Sequence, residues 1–97
     1  MRMQVQVTQV YLDWINSLPD RMGRAIIQVR VDRLPHGNPG QYRNLTDGVS
    51  ELKIDFGPDY RVHYTERGGE LIVLLAGGAK ATQQRDIKAA IALARNL

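Results

Sequence analysis

With 97 residues, 43% of them hydrophobic and 24% charged, the chain has the composition of one soluble globular domain, large enough for a single core and too small for two. The absence of cysteine excludes a disulfide framework and cysteine-ligated zinc, and the formal net charge of +3 favours acidic partners such as nucleic acid. The two histidines, His36 and His63, have no ligand spacing and acidic clusters are lacking, so neither a metal nor another cofactor is expected.

The stretch from Met1 to Val7 has no apolar run of signal-peptide type, and nothing approaches the roughly 18 apolar residues of a membrane span, so a cytoplasmic chain without a membrane partner is expected. Met3, Val5 and Val7 alternate with Gln4 and Gln6, predicting a short strand able to pair with a sheet edge. Thr8 occupies a helix N-cap position, and Tyr11, Trp14, Ile15 and Leu18 then recur at helical spacing, which predicts a helix over 9–18 with Trp14 as a core anchor. Pro19 ends it and Asp20 caps a second helix over 21–34. Met22, Ala25, Ile26, Val29 and Arg33 form the expected stripe of that helix, leaving Arg21, Arg24 and Arg30 to solvent or to phosphates. Residues 35–48 hold three glycines and two prolines and read as a long loop, of the kind that is often functional. Arg43 beside Tyr42 offers a cation for phosphate and a ring for base stacking.

Residues 49–80 are expected to supply three antiparallel strands. Leu52, Ile54 and Phe56 alternate with Glu51, Lys53 and Asp55, and Tyr60, Val62 and Tyr64 with Arg61, His63 and Thr65. A three-residue loop, Gly57-Pro58-Asp59, would set Phe56 opposite Tyr60, Ile54 opposite Val62 and Lys53 opposite His63. One face is then core, and the other collects Lys53, Arg61 and His63. Gly68-Gly69 forms a two-residue turn with Arg67 opposite Glu70, and the unbroken apolar run from Leu71 to Ala76 reads as the central strand. Gly77-Gly78-Ala79-Lys80 leads to a last helix capped by Thr82, with Ile87, Ala90, Ile91 and Ala94 as its buried stripe. Lys80 therefore lies near a helix N-terminus, which favours anions. The order β-α-α-β-β-β-α predicts a single α+β domain over 1–97 with a twisted, mainly antiparallel sheet.

Lys53, Arg61, His63, Arg43 and Lys80 supply the residue types for metal-independent RNA cleavage, in which a 2′-hydroxyl attacks the adjacent phosphate. Arginine holds phosphate oxygens bidentately, and histidine or a lysine among cations carries protons. The same spacing also fits a purely structural arrangement, with Asp55 paired to Arg61, Lys53 solvated and His63 covered by the last helix.

The block Glu-Leu-Lys-Ile-Asp-Phe-Gly-Pro-Asp-Tyr-Arg-Val-His-Tyr at 51–64, with Leu-Leu-Ala-Gly-Gly-Ala-Lys-Ala-Thr-Gln at 74–83 and Arg-Asp-Ile at 85–87, closely resembles the phage-derived, HigB-like addiction-module killer proteins of the RelE/ParE toxin superfamily. Arg-Leu-Pro-His-Gly-Asn-Pro-Gly at 33–40 extends the likeness over nearly the whole chain. The resemblance implies a RelE-like fold of microbial-ribonuclease type and a toxin of a type II toxin–antitoxin system, neutralised by a cognate antitoxin protein. RelE-like members cut mRNA on the ribosome. Carried onto this chain, Arg61 matches the arginine that contacts the scissile phosphate, Lys80 a basic residue after the last strand, and Lys53 a strand position often filled by arginine. Arg43, Tyr42 and Arg85 are candidate RNA contacts. The chain departs from RelE in lacking a tyrosine in Gln84-Arg85-Asp86-Ile87, and from its own subfamily in Asp59 and Ala79, where glycine and aspartate are common. The superfamily also implies an alternative, inhibition of DNA gyrase by binding as ParE does; a non-catalytic antitoxin-binding module is a third reading.

Overall fold

Five strands and three helices form in the computed structural model, which describes residues 2–97; Met1, the first residue of the expected domain, lies outside them. In chain order they are β1 (Gln4–Val7), α1 (Gln9–Ser17), α2 (Arg21–Asp32), β2 (Tyr42–Asn44), β3 (Val49–Ile54), β4 (Tyr60–Arg67), β5 (Leu71–Ala79) and α3 (Gln83–Arg95). Short 3-10 turns cover Leu34–His36 and Lys80–Thr82. The sheet order is β1-β5-β4-β3-β2; only β1 and β5 run parallel, so the fold is α+β and mainly antiparallel. The expected order lacked β2, an edge strand within the stretch read as loop. The run from Leu71 is interior but not central, because β4 holds the middle place.

Alternation gives the sheet two unlike faces. Leu52, Ile54, Tyr60, Val62, Tyr64, Ile72 and Leu74 meet Tyr11 of α1, Ile27 and Val31 of α2, and Leu34 in the larger core. Burying each such aliphatic side chain contributes about 1.5–3 kcal/mol. Trp14 lies edge-on to Tyr60 with ring centroids 6.3 Å apart. Its ring covers Gly77, where any Cβ would collide with it. On the opposite face Val49, Val73, Leu75 and Ala76 pack beneath Ala90 and Ala94 of α3.

Two of the three predicted helix caps form. Thr8 Oγ1 accepts from the Tyr11 N–H at 3.1 Å and donates to the Leu75 carbonyl at 2.6 Å, so one hydroxyl starts α1 and ties it to β5. Asp20 accepts from the Gly23 N–H and from the Tyr60 hydroxyl, each at 2.9 Å, and these bonds hold its carboxyl below the usual range. Thr82 stands at the N-cap of α3 but makes no cap bond; its hydroxyl donates to Asp86 instead, at 2.5 Å.

Three expectations about packing are corrected. The buried residues of α2 are Gly23, Ile27 and Val31, whereas Met22 and Val29 are exposed. A Cβ at Gly23 would strike the Tyr60 ring, so the missing side chain lets that stripe settle on the sheet. The β3–β4 register is displaced by two residues: Ile54 faces Tyr60, Leu52 faces Val62, Lys53 faces Arg61 and Glu51 faces His63. The connection is the five residues 55–59, so Phe56 and Asp55 lie outside the ladder. A two-residue displacement leaves every side chain on its predicted face, because strand alternation has period two. Between β4 and β5 the loop has three residues, with Arg67 opposite Leu71, and a bulge follows: Tyr64 faces Leu74 but His63 faces Ala76. Leu75 has no opposite number, and both Leu75 and Ala76 face α3.

Candidate functional site

The face of Lys53, Arg61 and His63 is closed by α3 over much of its area, and at its centre lies a carboxylate. Glu51 on β3 is 0% exposed. It accepts from three side chains: Arg43 Nε on β2 at 2.9 Å, His63 Nε2 on β4 at 2.9 Å, and Gln83 Nε2 on α3 at 2.9 and 3.1 Å; Arg61 Nε stands 4.0 Å away, too far for a hydrogen bond. Burial pushes its carboxyl up, but the bonds from Gln83, His63 and Arg43 outweigh this and hold it below the ordinary glutamate range. An ionised carboxylate only accepts, so His63 carries its hydrogen on Nε2. The ring's Nδ1 is buried without a partner.

Arg61 is 7% exposed, and its Nη1 donates to the carbonyls of Asp59 and Tyr60 at 3.1 Å each. The Asp59 carbonyl also accepts the Lys80 backbone N–H at 3.0 Å, which ties the start of β4 to the segment after β5. Asp59 has φ of +61°, a left-handed conformation that glycine adopts freely and that aspartate tolerates better than most residues. This accounts for glycine being common at that position in the subfamily resembled. Gly78, opposite Arg61, lies beneath the Asp86 carboxylate, and a Cβ there would collide with it.

Around this buried centre stand the accessible cations. Lys53 is half-buried and directly opposite Arg61; Arg43, Lys80 and Arg85 are exposed. Lys80 and Arg85 line a shallow depression of about 390 Å³ at the start of α3, and Nε and Nη2 of Arg85 each lie 3.4 Å from Asp86 Oδ1. Tyr42 does not join the group. It faces Leu52 whereas its neighbour Arg43 faces Glu51, so the aromatic and the cation project from opposite faces of the sheet. His63 is 0% exposed, within the group but closed off from solvent. The Asp55–Arg61 ion pair of the structural alternative does not form, because Asp55 lies outside the ladder.

Arg30 serves the site from behind. It donates to the carbonyls of Lys53 at 2.8 Å, Pro39 at 3.1 Å and Gln41 at 2.8 Å, which fastens the loop before β2 to the end of β3 and removes Arg30 from the cations free for phosphate. Sequence reasoning missed Glu51 and Gln83. A glutamate on a polar strand face reads as solvated, and its place opposite His63 emerges only with the true register. Among the described residues, no three His, Asp or Glu side chains come together to hold a metal ion, and no helix is long and apolar enough to cross a membrane.

Residues 13–97 match the family described as Phage derived protein Gp49-like (DUF891). An uncharacterized protein of Haemophilus influenzae is 40% identical over 97 residues, a match that spans all of this chain and 98% of that protein. Among solved structures, a double arginine-to-alanine mutant of the E. coli toxin RelE in the free state superposes with a TM-score of 0.67 at 13% identity, over 91% of this chain and 97% of that one. That likeness establishes a shared fold.

Proposed function

The chain belongs to the Gp49-like family of phage-derived proteins and has the RelE fold, and from that premise we propose that it is the toxin of a type II toxin–antitoxin system, acting on the ribosome as an endoribonuclease that cuts mRNA. The observation that carries this reading is the placement of Lys53 directly opposite Arg61. Like charges so opposed destabilise a sheet, and an anion held between them turns the penalty into attraction. Arg43, Lys80 and Arg85 extend the positive rim and fit a polyanionic backbone better than a small acid.

In this reading Arg61, its guanidinium fixed by two carbonyls, stabilises the charge that develops on the scissile phosphate, and Lys53 and Lys80 assist at the rim. The 2′-hydroxyl loses its proton and attacks the phosphorus, the bond to the 5′-oxygen breaks, and that oxygen takes up a proton, leaving a 2′,3′-cyclic phosphate and a 5′-hydroxyl. His63, bonded to Glu51 and closed from solvent, holds the buried centre rather than meeting RNA. The cognate antitoxin, in turn, neutralises the chain by binding it directly, and the rim gives its acidic residues a place to dock.

Inducible expression in bacteria, followed by mapping of mRNA 5′ ends, tests the reading. Wild type should produce cuts in phase with the reading frame. Lys53→Ala, whose side chain reaches the surface, should reduce them at least about tenfold, and Arg61→Ala should abolish them, each loss corresponding to about 1.4 kcal/mol or more of transition-state stabilisation. Intact mRNA in arrested cells would refute it. A DNA-damage response with continuing protein synthesis would instead favour gyrase inhibition, and harmless expression a non-catalytic module.

A further inference from the structure

Glu51 is a buried carboxylate at the centre of the cationic rim, and its three donors differ in a way that matters. Gln83 and His63 bond it from within, and the His63 side chain is 0% exposed. Arg43 bonds it from outside, on an edge strand, with 45% of its side chain exposed. Arg43 Nε binds Glu51 Oε1, the same oxygen that lies 4.0 Å from Arg61 Nε. One carboxylate oxygen faced by two arginine side chains offers them the negative charge that a phosphate oxygen would.

We infer that Glu51 is a positioning residue that stands in for phosphate until RNA binds: it holds Arg43 beside the Arg61 charge that it faces at 4.0 Å, and it yields Arg43 to the incoming RNA backbone. The inference rests on the ribonuclease reading above. The exchange is feasible because Glu51 does not become an orphan when Arg43 leaves. Gln83 Nε2 reaches both carboxylate oxygens and His63 Nε2 still holds Oε2, so the buried charge stays paired and avoids the penalty of an isolated one. Arg61 is barred from following, since backbone carbonyls keep its Nη1 in place. One arginine is thus mobile and one fixed, both referenced to the same buried oxygen.

Two measurements test this. In the wild-type protein, titration with a non-cleavable 2′-O-methyl oligoribonucleotide is followed by the nitrogen and proton resonances of the arginine Nε–H groups. Arg43 should shift progressively to saturation while the Gln83 side-chain amide stays in place. In Glu51→Gln, which removes a negative charge at the rim, the same oligonucleotide should bind about three- to tenfold more tightly, and kcat for cleavage of its 2′-hydroxyl counterpart on ribosomes should fall at least tenfold. A purely structural glutamate predicts the reverse pattern for binding, weakening together with kcat, and that result would overturn the inference. So would an Arg43 resonance that is unmoved at saturation while the wild type still cleaves, an outcome that leaves the ribonuclease reading intact. Displacement of Arg43 without any cleavage supports the exchange and sinks the enzymatic reading. Absence of oligonucleotide binding by the wild type overturns both.

Discussion

Glu51 and Leu52 are adjacent on β3 and both are 0% exposed, yet they are buried by opposite means. Leu52 lies in the larger core beneath α1 and α2, where apolar surface is removed from water and any well-packed side chain of similar volume would serve. Glu51 lies on the other face beneath α3, where its charge persists only because donors from β2, β4 and α3 converge on it. The first kind of burial tolerates change in shape up to the limits of packing. The second depends on the register of three strands and the seating of a helix at once. The sheet therefore separates its tasks by parity, one side supplying most of the cohesion and the other holding a charged arrangement in place.

Substitutions on the two sides should read out differently. Leu52→Ala should have the largest effect on stability, about 3 kcal/mol from lost transfer energy and the cavity left behind, measured by chemical denaturation and nearly independent of pH. Glu51→Gln should cost less, about 1–2 kcal/mol, since the amide keeps some bonds and loses the charge-assisted ones. Its signature is in pH. The native carboxyl is held below the usual range, whereas an unfolded glutamate titrates near about 4.3. The stabilisation from Glu51 is therefore complete above about pH 5 and is lost as pH falls through the lowered native value. Melts between pH 6 and pH 3 should show a smaller acid loss for Glu51→Gln than for wild type, and an undiminished one for Leu52→Ala. Equal acid slopes in all three would mean that Glu51 is not the charge that matters.

Thr8→Ala removes a hydroxyl that bridges α1 and β5, on the side of the larger core, and should cost about 1 kcal/mol without altering the acid slope. Arg95→Ala breaks a surface pair with Asp47 near the end of α3. Its effect should stay below about 0.5 kcal/mol and vanish in high salt. A larger effect would show that the C-terminal turn of α3 contributes more to the polar side than its exposure implies.

The faces of the β3–β4 hairpin were legible from alternation, but the pairing was not. Alternation constrains register only modulo two, and Phe56 looked like a strand residue because nothing in its own chemistry says that a five-residue turn begins at Asp55. In α2 the apolar series Met22, Ala25, Ile26 and Val29 is as periodic as the true one. What decides between them is Gly23, whose contribution is the absence of a side chain where Tyr60 must fit. The strand Tyr42–Asn44 carries no apolar pattern because all three residues are exposed at a sheet edge. Arg61 and Lys53 were gathered by alternation and Lys80 by its place at a strand-to-helix junction, and resemblance then assigned their roles. Glu51, which belongs to the same block, was hidden because its burial depends on partners 8, 12 and 32 residues away.

The unopposed Leu75 makes β5 one residue longer than the stretch of β4 it spans. Removing Leu75 would therefore shorten the chain without shifting the frame of the ladder: Ala76 would still face His63, Gly77 would still face Val62, and Gly78 would still face Arg61. What would disappear is one fully buried side chain beneath α3, the carbonyl that accepts from the Thr8 hydroxyl, and the extra local twist that a bulge imparts. The glycine pair would keep its two assignments, Gly77 under Trp14 and Gly78 under Asp86. The strand thus contains a spare link, an insertion absorbed without a reading-frame error in space, and a one-residue deletion there, made beside Thr8→Ala so that the lost α1 tie is common to both, tests twist separately from pairing.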